Sequence, residues 1–163
     1  MVSIVVAHAS NRVIGSGGGL PWRLPADLRR FRELTVGGTV LMGRRTFQSL
    51  PEAFRPLPQR RNLVLSSDSG YHAPGAEVFD SLEAALAACE GECFVIGGGV
   101  TYREALPLCA RLYATEVETA PPGDVFFPEL DTGQWRRVER SERFVQDEIG
   151  FTFNVYERAG SAL

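Results

Sequence analysis

Short apolar runs rich in β-branched residues recur along the chain: SIVVAHA, TVLMG, NLVLSS, AEVF, CFVIGG and RLYATEVE. Nearly continuous runs of this kind are what strands covered on both faces look like. Between them the apolar positions take helical spacing, near residues 26–35, 44–50, 81–89 and 100–107. Strand and helix in alternation predict a mostly parallel sheet with crossover helices. The end of the chain changes period: QWRRVERSERFV and FTFNVYER alternate polar and apolar residues, which predicts a closing antiparallel hairpin at the sheet edge. The expected fold is therefore a single α/β domain over residues 1–158, with a central, mostly parallel eight-stranded sheet, a C-terminal antiparallel hairpin and about four flanking helices. Residues 159–163 are expected to be a flexible tail.

Composition narrows the chemistry. At 163 residues and 44% hydrophobic, the chain is long enough to bury one core of its own. The net charge of −3 comes from 20 acidic and 17 basic residues spread along the chain, so no basic stripe is available to neutralise nucleic acid phosphates. All 17 basic residues are arginine. That excludes Schiff-base chemistry, a lysine general base and the lysine of a nucleotide-binding P-loop. Cys89, Cys93 and Cys109 with His8 and His72 offer no zinc spacing, so no metal is expected, and idle thiols fit a reducing cytosol. The start, MVSIVVAHAS, carries the small-x-small pattern Ala7-His8-Ala9. It lacks a positive segment, and its apolar run falls short of the ~7–15 residues of a signal peptide core. It reads as a first strand, and a cytoplasmic location with no membrane span is expected.

Three loops follow strands and open toward helices, where open α/β sheets bind ligands. GSGGGLPW, residues 15–22, carries three consecutive glycines and is either a lid or a plain surface turn. MGRRTF places Arg44 and Arg45 at a helix start, where cations oppose the helix dipole. A bound phosphate would account for them, and so would an ordinary charged surface. FVIGGGVTYREAL runs a strand into Gly97-Gly98-Gly99. Such glycines allow a backbone to approach a pyrophosphate or to pack tightly on its neighbour. The segment is not a Rossmann fingerprint, because Tyr102 stands at the last glycine position.

The segment LPWRLPADLRRF holds one acid, Asp27. Pro25 suits a first helical position, which puts Asp27 in the first turn, where a carboxylate ordinarily serves the dipole. Yet Asp27 and Phe31 are four residues apart with Leu28 beside them, while Arg29, Arg30, Arg32 and Glu33 take the other faces. The carboxylate is therefore expected to point inward. The helix dipole stabilises such a charge by only ~0.3–1 kcal/mol, whereas desolvation can raise a buried carboxyl by ~3–5 pH units. An acid in that position needs a polar partner and marks a site that handles protons.

These segments together resemble the dihydrofolate reductase family. LPWRLPADLRRF is similar to its lid end and acidic helix, VLMGRRTFQS to its first cofactor segment, RPLPQRRNLVLSS to its tail-binding and adenosine segment, and FVIGGGVTYREALP to its pyrophosphate loop. LYATEVE and GDVFFPE follow in the family's order, so the resemblance runs from about Ser3 to Tyr156. It implies hydride transfer from NADPH to carbon 6 of 7,8-dihydrofolate, with antifolates as inhibitors and a monomeric enzyme. By the same resemblance, Asp27 holds the pterin, with Thr115 and a water near Trp22 in support. Val5, Val6, Leu28, Phe31, Leu50, Leu57 and Ile96 form the substrate cleft, and Arg60 pairs with the α-carboxylate of the glutamate tail. Ala7, Ile14 and Leu20 border the nicotinamide, and Gly15 is a further cofactor-binding residue. Arg44, Arg45 and Ser67 take the 2′-phosphate, with Gly43, Thr46, Leu65, Ser66, Gly98, Gly99, Val100, Thr101 and Tyr102 along the rest of the cofactor. A cis Gly97-Gly98 bond is implied too.

The chain departs from the family's frequent pattern at Phe47, at His8 and in the longer PEAF segment, residues 51–54. Two other readings share parts of this pattern. A riboflavin-pathway reductase of the same fold would need a sugar-phosphate site and would not require Asp27 in an apolar seam. A non-catalytic module would bind pterin or nucleotide without turnover.

Overall fold

Thr39–Gly43, the run TVLMG, forms a strand buried almost throughout, with Val40 and Met42 in one apolar cluster and Leu41 in another on the opposite face. That alternation organises the molecule. The structure is a computed structural model and describes residues 1–15 and 22–159. In chain order its elements are β1 (Val2–Ala9), β2 (Val13–Gly15), α1 (Pro25–Thr35), β3 (Thr39–Gly43), α2 (Arg44–Ser49), β4 (Arg61–Leu65), β5 (Glu77–Phe79), α3 (Leu82–Ala87), β6 (Cys93–Gly97), α4 (Gly99–Ala105), β7 (Arg111–Val117), β8 (Val125–Phe126), β9 (Trp135–Arg140), β10 (Phe144–Gln146) and β11 (Ile149–Arg158). The main sheet runs β10-β11-β7-β1-β6-β3-β4-β5. Only the pairings of β11 are antiparallel there; the rest are parallel. The expected α/β fold with a mostly parallel eight-stranded sheet, a C-terminal antiparallel pair and four helices is the one observed.

Two layers cover the sheet. Phe31 of α1 and Phe47 of α2 pack with Val40, Met42, Val64 and Phe94 on one face. Leu82 and Ala85 of α3, with Tyr102 and Ala105 of α4, pack with Ile4, Leu41, Leu63, Val95 and Leu112 on the other. Helix α3 starts where Ser81 Oγ accepts the Ala84 N–H at 3.1 Å, which satisfies one of the free donors of a helix start.

The closing hairpin differs from expectation in one respect. Its first strand is not continuous: β9 and β10 pair with successive parts of β11, and residues 141–143 separate them. Ser141 explains the break, because its Oγ accepts the Phe153 N–H at 2.8 Å in place of a ladder carbonyl. A small second sheet, β2 with β8, lies outside the expected elements. Of the expected tail, Ala159 is tied down by its N–H to the Gln134 carbonyl at 2.8 Å, and residues 160–163 lie outside the described residues, as does the glycine-rich segment 16–21. No helix among the described residues is long and apolar enough to cross a membrane.

Candidate active site

Helix α1 begins with Pro25 in its first turn and no side-chain cap at Leu24. Gln146 of β10 supplies the missing acceptor, its Oε1 taking the Ala26 N–H at 3.0 Å. That fixes the next residue, Asp27, whose side chain lies against the sheet as its spacing predicts. Thr115, buried in the middle of β7, donates its hydroxyl to Asp27 Oδ1 at 2.5 Å. Burial pushes the Asp27 carboxyl above its ordinary value, while the Thr115 hydrogen bond and the positive charge of Arg30 pull it back. No described residue donates to Asp27 Oδ2. Ahead of the helix, Trp22 is 8% exposed, and its buried Nε1 has no partner among the described residues.

Val5, Phe31, Leu50, Leu57 and Ile96 converge in a single apolar cluster on this face. Two of the residues expected with them do not join. Val6 belongs to the opposite cluster, because successive strand side chains alternate. Leu28 is 50% exposed, at the rim instead of in the wall. Arg60 closes the far end: its Nε donates to the Pro58 carbonyl at 2.9 Å and its Nη1 to Thr35 Oγ1 at 3.0 Å. Its guanidinium lies 5.8 Å from the Phe31 ring centre, and burial, then Arg32, lowers its pKa. Asn62 holds the adjoining loop by accepting the Leu57 N–H at 2.9 Å and donating to the Leu57 carbonyl at 3.0 Å.

A second group of candidate residues lies where two strand-to-helix loops meet. Gly97-Gly98 is a cis peptide, in keeping with the resemblance. A Cβ added to Gly97 or Gly98 would stand 3.2 or 3.3 Å from Thr46 Oγ1, and one on Gly43 3.1 Å from Thr101 Oγ1. The two loops lie this close because those positions carry no side chain. Tyr102 is buried beneath them, its hydroxyl donating to the Val5 carbonyl at 2.7 Å, and its pKa is raised by burial and then by the charge of Asp27. Ala7 and Ile14 are partly buried beside the core clusters. The Gly15 carbonyl accepts the Asp124 N–H at 3.1 Å. Leu20 lies outside the described residues.

Two arginines follow the first of these loops. Arg45 and Ser67 are exposed and Arg44 is half-buried. The Arg44 guanidinium sits 4.0 Å from the Tyr71 ring centre and 3.4 Å from Asp68 Oδ2. Ser66 is buried, its Oγ accepting the Asp68 N–H at 3.1 Å, so it shapes the turn. Leu65 is partly buried on the helix α3 and α4 side, and Val100 is 64% exposed on the first turn of α4.

An acid held against an apolar cluster, with closely approaching glycine loops and arginines in the same domain, suits one ligand with hydrogen-bond donors and a second that carries phosphates. Comparison with known proteins agrees. The family described as dihydrofolate reductase matches residues 1–158. The chain belongs to the dihydrofolate reductase family. It is 50% identical to the dihydrofolate reductase of Mycobacterium tuberculosis over 162 residues, 98% of this chain and 99% of that protein. To that of Neisseria gonorrhoeae it is 45% identical over 158 residues, 95% and 96% of the two chains. The solved structure of dihydrofolate reductase from Enterococcus faecalis complexed with NADP(H) and RAB-propyl has a TM-score of 0.88 at 38% identity, covering 97% of this chain and 96% of that one.

Four residues that the structure sets against these candidates or their neighbours escaped the sequence analysis. Gln146 is 120 positions from the residue it caps, which no local pattern reveals. Asp68 and Tyr71 flank Arg44 through loop geometry. Arg30 was placed on another face of α1, yet its three-residue spacing from Asp27 is a signal that could have found it.

Proposed function

We propose that this protein reduces 7,8-dihydrofolate to 5,6,7,8-tetrahydrofolate with NADPH. The observation that carries the reading is the Asp27 carboxyl, held by Thr115 against an apolar wall and raised in pKa by burial. When bound, NADPH supplies the hydride for carbon 6 of the pterin. The paired loops fit such a group: Thr46 and Thr101 approach Gly97, Gly98 and Gly43 across a gap that side chains would fill. Gly43, Thr46, Gly98, Gly99 and Thr101 would hold the pyrophosphate, and Arg44, Arg45 and Ser67 the 2′-phosphate. Ala7, Ile14 and Leu20 would border the nicotinamide, and Gly15 would be a further cofactor-binding residue.

Within the cleft, Asp27 binds the pterin 2-amino group and N3, with one oxygen already oriented by Thr115. It polarises the ring, which favours the proton that N5 must gain. Val5, Phe31, Leu50, Leu57 and Ile96 exclude water, which strengthens every electrostatic interaction inside. Arg60 faces the α-carboxylate of the glutamate tail. Alignment of two rings in a dry cleft can remove ~7–11 kcal/mol of a barrier. Antifolates would compete for Asp27.

The protein is further proposed to act as a cytoplasmic monomer built on residues 1–158. Its three thiols are free, and its edge strand β9 presents Arg136, Arg137, Glu139 and Arg140 outward, charges that discourage edge pairing. The experiment is an assay of reduced-nicotinamide absorbance with dihydrofolate and NADPH. Loss of absorbance that requires both compounds supports the reading; binding of both without turnover overturns it.

A further inference from the structure

Arg30 stands almost one helical turn beyond Asp27 on α1, and its guanidinium carbon lies 4.6 Å from the centre of the Phe153 ring. Phe153 on β11 is the register partner of Thr115 on β7, and Thr115 holds Asp27 Oδ1. The ring under the cation and the hydroxyl on the anion are thus directly opposed cross-strand neighbours, whose Cβ atoms stand about 4.5–5.5 Å apart. An arginine on a free helix surface sweeps through many rotamers. Here an aromatic face fixes it.

None of the ion pairs among the described residues joins Arg30 to Asp27. The cation therefore acts across a gap and leaves the carboxylate oxygens open. Among the described residues, the other groups brought toward Asp27 are neutral: Thr115 from β7 and Tyr102 from α4, with Gln146 from β10 on the neighbouring Ala26. Arg29, Arg32 and Glu33 are exposed on α1. Arg60 is anchored at Thr35, two helical turns away.

We propose that Arg30, held on the face of Phe153, is a positioning residue of this active site: it is the counter-charge that keeps the Asp27 carboxyl ionisable inside an apolar wall without occupying the oxygens that a pterin needs. The direction of the electrostatics agrees, since Arg30 is the one charged side chain among the described residues that draws the Asp27 pKa back down. The inference rests on the reading of Asp27 as the pterin-binding acid.

Arg30→Gln, Arg30→Lys and Phe153→Leu test it, each first checked for a wild-type-like thermal melt. The side-chain carboxyl NMR titration of Asp27 in the ligand-free protein is read together with the pH profile of kcat/KM for dihydrofolate. In Arg30→Gln both midpoints move to higher pH, in Arg30→Lys most of that shift is absent, and in Phe153→Leu the shift is intermediate. High salt moves the wild-type midpoint toward that of Arg30→Gln and leaves the Gln variant in place. An unmoved NMR midpoint in Arg30→Gln, or equal shifts in the Gln and Lys variants, overturns the proposal. A shifted NMR midpoint with an unchanged kcat/KM profile upholds the Arg30 coupling and instead removes Asp27 from the catalytic reading.

Discussion

The hydroxyl of Thr115 reaches Asp27 Oδ1 at 2.5 Å and so ties the middle of a central strand to the first turn of the acidic helix. Replacing Thr115 with Val keeps the shape and deletes the donor. A hydrogen bond to a charged group contributes about 1.5–3 kcal/mol, so KM or Kd for dihydrofolate should rise by roughly 10- to 100-fold, with NADPH affinity unchanged. The Asp27 pKa should also climb, because the larger of its two lowering influences is gone. Parallel titrations of the two ligands, followed by fluorescence, check both halves.

Asp27→Asn should separate stability from activity. Because the folded-state pKa of Asp27 is raised, the stability linked to it is fully present below the ordinary carboxylate pKa and is lost as pH rises through the raised value. Above that window the carboxyl is therefore a cost to the fold. The amide removes that cost, so Tm should rise, by about 2–4 °C for each kcal/mol recovered, and the gain should disappear in acid. Turnover at neutral pH should fall by ~10²–10⁴-fold, the usual contribution of a positioned proton-transfer group. A pH series of thermal melts and a rate assay on the same samples measure the two effects.

Arg44 and Asp68 make opposite predictions for the cofactor. Removing a guanidinium with Arg45→Ala or Arg44→Ala should weaken NADPH by roughly 10- to 100-fold and NADH by much less, since charge-assisted bonds to phosphate contribute about 1.5–3 kcal/mol each. Asp68 lies 3.4 Å from Arg44, 59% exposed, and competes for the same cation. Asp68→Asn should tighten NADPH by a few-fold and leave NADH where it was. Kd values for the two dinucleotides, measured at two salt concentrations, test the set.

Gly123 is a packing position, with no positive φ to require glycine. A Cβ there would stand 2.7 Å from the Gly15 carbonyl and closer still to Val13. Gly123→Val should pry β8 from β2 and release the Asp124 N–H from Gly15. Turnover should drop at least several-fold, with a smaller change in dihydrofolate affinity, because Asp27 and Thr115 are untouched. Hydrogen exchange at Asp124 would report the opened ribbon directly.

Where sequence was enough, periodicity carried the information. Thr39–Gly43 was legible because a run of apolar residues has few alternatives to a covered strand, and Asp27 because three- and four-residue spacings place it on the face of Phe31. Where it was not enough, the deciding contact lay far along the chain. Val5 and Val6 look alike in sequence and must point to opposite faces, but which of them faces Phe31 is decided only when β1 pairs in register with β7. The β2 and β8 strands, three and two residues long, are too short to show a period. Ser141 breaks an alternating pattern through a hydrogen bond to Phe153 twelve residues later, and Arg30 gains its position from that same Phe153.

The Gln146 cap on Ala26 has a consequence for biosynthesis. A helix that starts at residue 25 is fastened by a residue 120 positions downstream, and the strand that carries Phe153 threads between β7 and the edge only after that. During translation the ribosome will have delivered nearly every amino acid before Asp27 has its final surroundings. A nascent polypeptide that stops short of Phe144 retains the acid but not the architecture that gives it a purpose.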